Sequence, residues 1–254
     1  MEGTTTGPNR TGGAMNADGL ASMLQAVEEL SPMTTVSTLL MDIERQRYIT
    51  DSESVGSIPP PLSAPHGSGE ETDATPAAVS MGLLLDKLGE RIAFERTGAR
   101  LYGALITKYL ALVNAGETAL PPNSNGEPAI DTLRRIRAQE LQHFQMLSKC
   151  VEELGGDPTA QTPCADVTGT ASSGLLQVVT DPRTTLAQSL NAVLTAELTD
   201  NAGWELLGEL AEFAGQKQLV EGFAEALAVE QEHMAIVQLW LRGLMIDATG
   251  TPAV

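Results

Sequence analysis

Glu230-Gln-Glu-His233 lies inside an apolar-periodic run from Leu219 to Leu244, and few features of comparable length restrict a fold as much. On a helix, residues three apart share a face. That face is otherwise apolar, because steps of three or four from Glu230 meet Leu227, Phe223 and Leu219 on one side and Val237, Leu241 and Leu244 on the other. The pattern aims a carboxylate and an imidazole into a core. Burying an unpaired carboxylate is costly, and a metal ion is one of the few partners that also occupies a histidine.

The motif occurs twice. Glu140 and His143 stand three apart on a stripe made by Leu133, Ile136, Leu147 and Leu154. The chain has 3 histidines, and His143 and His233 both sit in Glu-x-x-His. One such motif is an ordinary surface pair on a helix, whereas two on apolar stripes point to ligands in a helical core. Two more glutamates interrupt apolar stripes. Glu95 falls among Leu88, Ile92, Ala99, Tyr102, Ile106 and Tyr109, and Glu197 among Leu186, Leu190, Leu194 and Trp204.

Periodicity and turn signals predict four long helices, over about residues 81–113, 128–154, 182–214 and 216–245. Pro121-Pro122 and the stretch from Asn123 to Gly126 form the first turn, and Gly155-Gly156-Asp157-Pro158 ends the second helix. Residues 155–181 make a long connection of Thr, Ala, Gly and Ser, with Leu175 to Val179 as its only apolar group. Asp181-Pro182 reads as N-cap and first position of the third helix. A composition of 42% hydrophobic and 4% aromatic residues, rich in Ala, Leu and Glu, agrees with an all-α class.

Residues 1–79 differ in texture. They are rich in Gly, Thr, Ser and Pro, including Pro59-Pro60-Pro61, and read as a largely irregular arm. Apolar groupings from Leu20 to Leu30 and Val36 to Ile43 predict one or two short helices between Asp18 and Tyr48, and the residues from Ser54 to Pro61 are expected to be extended. The arm is a docking element or a tether, and His66 within it reads as a solvated loop residue. The bundle is expected over 80–246, with 247–254 as a tail.

The net charge of −18 argues against nucleic acid and anionic membrane as partners. No apolar stretch reaches the ~18 residues of a spanning helix, and Met1-Glu2-Gly3 opens no signal peptide, so the cytoplasm is the expected location. Cys150 and Cys164 are too few for a disulfide framework and read as reduced thiols.

The order Glu95, Glu140-x-x-His143, Glu197, Glu230-x-x-His233, with the long connection between the second and third helices, resembles the ferritin-like di-iron carboxylate proteins, which include bacterioferritins, rubrerythrins and manganese catalases. The resemblance covers residues 81–245. Phe94-Glu95-Arg96 followed by Tyr102 looks like the first helix of bacterioferritin, where a tyrosine packs beside the metals. The stretch from Asp86 to Gly98 is similar to bacterial chains known only as ferritin-like.

The resemblance implies a ferritin-like four-helix bundle holding two iron ions, with manganese as the alternative. Glu140 and Glu230 would bridge them, Glu95 and Glu197 would be terminal carboxylates, and His143 and His233 would each ligate one ion. Tyr102 would act beside them as a hydrogen-bond or electron donor, and Asp200 and Asn201 are candidates for orienting an imidazole. Leu141 stands where bacterioferritin has its haem-ligating methionine, so no haem is expected. Rubrerythrin's Cys-x-x-Cys knuckles are absent. Only Asp247 to Val254 follow the last helix, so a homodimer is expected before a cage, with a higher homo-oligomer as the alternative. The implied activity is redox chemistry with oxygen or peroxide, such as ferrous oxidation. Iron storage, manganese catalase and a non-catalytic metal-binding role are the alternatives.

Overall fold

The computed structural model describes residues 17–30, 39–52, 76–117 and 120–250. The chain divides into two units, residues 1–54 and 55–254. In the first, α1 (Ala17–Leu30) and α2 (Leu39–Asp51) are the two short helices expected there. The Ser54–Pro61 stretch, His66 and residues 251–254 lie outside the described residues.

The second unit contains α3 (Pro76–Asn114), α4 (Ala129–Glu153), α5 (Pro163–Thr180), α6 (Leu186–Phe213) and α7 (Lys217–Gly250). Among the described residues all regular structure is helical, so the class is all-α. None of these helices is long and apolar enough to cross a membrane. The four expected helices are α3, α4, α6 and α7, with α7 running to Gly250 rather than ending near residue 245.

Two expectations are corrected. The long connection, to which the sequence assigned no helix, contains one, because residues 163–180 form α5. Its start is specified locally: Pro163 takes the first helical position, and Thr162 Oγ1 accepts from Ala165 N at 3.3 Å. Thr162 Oγ1 also donates to Asp86 O at 3.1 Å, and Asp86 Oδ1 accepts from Cys164 N at 2.9 Å, fastening the helix start to α3. α5 then packs along α3 and against α6. Asp181 does not open the next helix but closes α5, its Oδ1 accepting from Arg183 N at 2.9 Å. The N-cap of α6 is Thr185, in a capping box with Gln188: Gln188 N donates to Thr185 Oγ1 at 3.1 Å and Thr185 N to Gln188 Oε1 at 2.8 Å. Two reciprocal bonds outcompete the single signal of Asp-Pro. Lys108 on α3 gathers the intervening turn, donating to Asp181 O (2.8 Å) and Thr184 O (3.0 Å).

α3 packs on α4 and α6, α6 packs on α7, and α4 meets α7 only narrowly. The core separates into two apolar layers. One is built on Leu101, Leu133, Ile136, Val193, Val237 and Trp240, the other on Leu84, Leu88, Leu147, Trp204, Leu207 and Phe223. On each of α3, α4, α6 and α7 the sequence crosses from one layer to the other at its inward glutamate, so the carboxylates share a polar layer between two apolar ones.

Candidate metal centre

All six candidate ligands are buried and brought together. Glu95 comes from α3, Glu140 and His143 from α4, Glu197 from α6, and Glu230 and His233 from α7. They form two triads, Glu95/His143/Glu230 and Glu140/Glu197/His233. Within each triad one donor atom per residue lies within 4.8 Å of the others.

Glu230 sits between the two rings. Its Oε1 is 2.6 Å from His143 Nδ1, and its Oε2 is 2.9 Å from His233 Nδ1. Glu95 Oε2 lies 3.6 Å from His143 Nδ1, and Glu140 Oε1 lies 3.5 Å from His233 Nδ1. The backbone had to make room for this. A Cβ at Gly98 of α3 would overlap the Glu140 carboxylate, with Cδ at 2.9 Å, so the absence of a side chain there is what lets α4 bring Glu140 inward.

Each terminal carboxylate has one oxygen engaged and one free. Trp204 Nε1 donates to Glu95 Oε1 at 3.0 Å, and Arg91 Nη2 to the same oxygen at 3.3 Å. Tyr102 OH donates to Glu197 Oε1. The other oxygens, Glu95 Oε2 and Glu197 Oε2, are buried without a hydrogen-bond partner, as are His143 Nδ1 and Glu230 Oε1. The last two are close, yet not aligned as a hydrogen bond. An unpaired buried polar atom costs about 1–3 kcal/mol, and three of these four, Glu95 Oε2, His143 Nδ1 and Glu230 Oε1, come together in one triad, an arrangement compatible with donors facing a cation.

The electrostatics point the same way. Burial, with Glu230 and Glu95 nearby, pushes Glu140 well above the usual carboxylate range; burial and the Glu140 charge do the same to Glu197. Burial also raises Glu95, although His143 and Arg91 oppose it. For Glu230, burial is outweighed by the His143 and His233 imidazoles close to its two oxygens, which bring it down to about 2. Burial would lower both histidines, but Glu230 and Glu95 raise His143 to about 9, and Glu230 with Glu197 raises His233. Protons shared between the imidazoles and carboxylates therefore hold the layer together, and its buried Glu/His groups are compatible with two metal ions in their place. The donor set, four carboxylates and two imidazoles, suits such ions.

Asp200 and Asn201 are both buried, but neither touches an imidazole. Asp200 Oδ1 accepts from Arg91 Nη2, and Asn201 Nδ2 donates to Glu197 O (2.9 Å) and Glu230 O (3.2 Å), tying α6 to α7. The residue on an imidazole is Gln139, whose Oε1 accepts from His233 Nε2 at 3.0 Å. With that nitrogen donating, a neutral ring keeps its lone pair on Nδ1, the atom facing Glu230 and Glu140.

Three contributors escaped the sequence reading: Gln139, Arg91 and Trp204 as a hydrogen-bond donor. Gln139 directly precedes Glu140, a position that periodicity places off the inward stripe. Arg91 is 1% exposed in the core, a place no pattern assigns to arginine. Its signal was the spacing Arg91 to Glu95, one helical turn, and Gly203 on α6 leaves the room its guanidinium occupies. Trp204 could have been found by its distance of seven from Glu197, the same as from Glu95 to Tyr102.

No family model matches the sequence, and no curated protein or solved structure matches it.

Proposed function

We propose that residues 80–246 are a ferritin-like four-helix bundle of α3, α4, α6 and α7, with α5 in the long connection, holding two iron ions for redox chemistry with oxygen or peroxide such as ferrous iron oxidation. The observation that carries this reading is the pair of matched triads, each with one terminal glutamate, one imidazole and one shared carboxylate, and with unpartnered donor atoms turned to a common space. Glu95, His143 and Glu230 would hold one ion, and Glu140, Glu197 and His233 the other, with Glu140 and Glu230 close enough to reach both.

Iron held by such a set would supply a one-electron couple for the reduction of oxygen or peroxide. The protein's own residues prepare that environment. Trp204 and Arg91 hold Glu95 by Oε1, leaving Oε2 to the centre, and Tyr102 does the same for Glu197. Gln139 fixes His233 with Nδ1 inward. Arg91 also neutralises Asp200, which otherwise would add a fifth negative charge within reach of Glu95, Glu140 and Glu230. The apolar layers above and below exclude bulk water, which strengthens each of these interactions. Tyr102 and Trp204 are both oxidisable and each donates a hydrogen bond to one of these carboxylates, so either would be placed to give an electron to the centre while its proton passes to that carboxylate.

The deciding experiment is metal analysis of protein purified without added iron, followed by anaerobic ferrous titration and absorbance on admitting air. Two ions per chain and a new near-ultraviolet band after oxidation are expected. A single tightly held ion, or zinc alone, would remove the oxygen chemistry; manganese as the native metal would turn the reading to peroxide.

A further inference from the structure

A cavity of about 880 Å³ opens between α3, α5 and the turn at residues 158–161, and none of the six candidate ligands lines it. Its inner wall is apolar, made by Ile92 and Ala93 of α3, Phe144 of α4 and Leu176 of α5. α5 turns small residues to it, Ala165, Gly169, Ser172 and Ser173, which leaves space between two helices that otherwise pack along each other. Arg96 and Arg100 complete the lining from α3, one helical turn apart and both exposed.

These two arginines have no ion pair or hydrogen bond among the described residues. In a chain with 33 acidic and 15 basic side chains, Lys87, Arg91, Arg134, Arg135, Lys149 and Arg183 pair with carboxylates while these two do not. Most other polar side chains of the wall are already committed. Thr97 Oγ1 donates to Ala93 O, Ser172 Oγ to Thr168 O and Ser173 Oγ to Thr170 O, while the Gln161 amide donates to Asp166. Apart from the Thr170 hydroxyl, the uncommitted side-chain donors are the two guanidiniums, so a ligand here must bring acceptors of its own and an apolar body.

We propose that this cavity binds a small amphiphilic carboxylate, its head on Arg96 and Arg100 and its hydrocarbon body against Ile92, Ala93, Phe144 and Leu176. Guanidinium forks match a carboxylate in two parallel hydrogen bonds. Asp166 on the facing helix, together with the chain's net charge of −18, penalises any further negative charge, which favours a monocarboxylate over a phosphate dianion. The volume lies within the range of roughly 300–1,000 Å³ that takes small organic ligands. The site stands independently of the metal centre.

The test is calorimetric titration of the full chain with decanoate, decanol and inorganic phosphate, kept below micelle formation. Decanoate is expected to bind at one site per chain, with decanol and phosphate each about tenfold weaker or more, since one lacks the head and the other the body. R96Q/R100Q should weaken decanoate by about tenfold or more. Gly169→Leu, at a position where an added Cβ meets nothing within 4 Å, should abolish binding by filling the groove while leaving both arginines in place. Unchanged helicity and metal content in both variants would confine the loss to this cavity. No saturable decanoate binding, several equivalent sites per chain, wild-type affinity in R96Q/R100Q, or phosphate binding as tightly as decanoate would each overturn the proposal.

Discussion

Replacing Gly98 with alanine separates metal binding from folding. In the interior of a helix this change ordinarily stabilises by about 0.8–1.0 kcal/mol, because glycine gives up more backbone freedom than alanine. Here the new methyl would overlap Glu140 Oε2 and stand 2.9 Å from its Cδ, so one of the two must move. The backbone is pinned by α3 packing on both α4 and α6, and the softer element is the Glu140 side chain. Turning it aside costs about 0.5–1.5 kcal/mol in a strained rotamer, roughly cancelling the helical gain. Thermal unfolding of the metal-free variant is therefore expected within about 1 kcal/mol of wild type. The carboxylate, however, no longer faces Glu197 and His233. A displaced ligand or ligand-orienting group typically lowers metal affinity by about 10–100-fold, so calorimetric titration with ferrous or manganous ion should show that loss for at least one of the two ions. Two ions bound with wild-type affinity by a stable Gly98→Ala protein would show that Glu140 is not a ligand, and the paired-triad reading would fail with it.

Three further outcomes are expected. Tyr102→Phe should keep both ions, measured by metal analysis, but oxidise ferrous iron about tenfold more slowly in stopped-flow absorbance, since Glu197 loses its donor while the fold keeps its ring; an unchanged rate would make the tyrosine a packing residue. Gln139→Leu should weaken the ion on the His233 side by about 10–100-fold in titration while leaving the other unaffected, because only His233 has this partner; equal weakening at both would refute the assignment. Metal-free protein should lose stability as pH rises. His143 has its pKa lifted from 6.5 to about 9, so its contribution is complete below about pH 6.5 and disappears through about pH 9, a change of about 3 kcal/mol, and ionisation of Glu95, Glu140 and Glu197, all raised, acts in the same direction. A melting temperature that is equal or higher at about pH 9.5 than at about pH 6.5 would contradict this.

The four long helices and the burial of all six candidate residues were legible because each combines a 3.6-residue apolar stripe with a polar interruption, a pattern strong enough to survive without knowledge of the tertiary fold. α5 was not, because its stripe of Ala165, Gly169, Ser172 and Ser173 carries no hydrophobic period; its stability comes from a capped start and from packing on α3, which only tertiary structure shows. The start of α6 was misread at Asp181-Pro182 because two N-terminal signals stood four residues apart, and the reciprocal pair of Thr185 and Gln188 prevailed. The supporting shell was illegible for a different reason. Asp200 and Asn201 lie one turn past Glu197 and so faced the centre in projection, but which side chain reaches which ring depends on the partner helix, and that selected Gln139 from α4.

The arrangement also explains why the chain carries its motifs twice. Glu95 and Tyr102 are seven residues apart on α3, as are Glu197 and Trp204 on α6, and in each case two turns of helix bring both to one face. The hydrogen bonds run crosswise: Tyr102 of α3 holds Glu197 of α6, and Trp204 of α6 holds Glu95 of α3. The triads are crossed as well, since the first takes Glu230 from α7 and the second takes Glu140 from α4. Neither helix pair contains a complete triad, and although Arg91 reaches Glu95 from within α3, the shorter bond to Glu95 comes from Trp204 of α6. The α3–α4 pair alone would expose Glu95, Glu140 and His143 with no partner for Tyr102, and α6–α7 alone would do the same with Glu197, Glu230 and His233. On the proposed di-metal reading, metal affinity would be created only when the two pairs dock, so the free energy of binding two ions would become free energy of docking and offset the cost of placing four carboxylates in one buried layer.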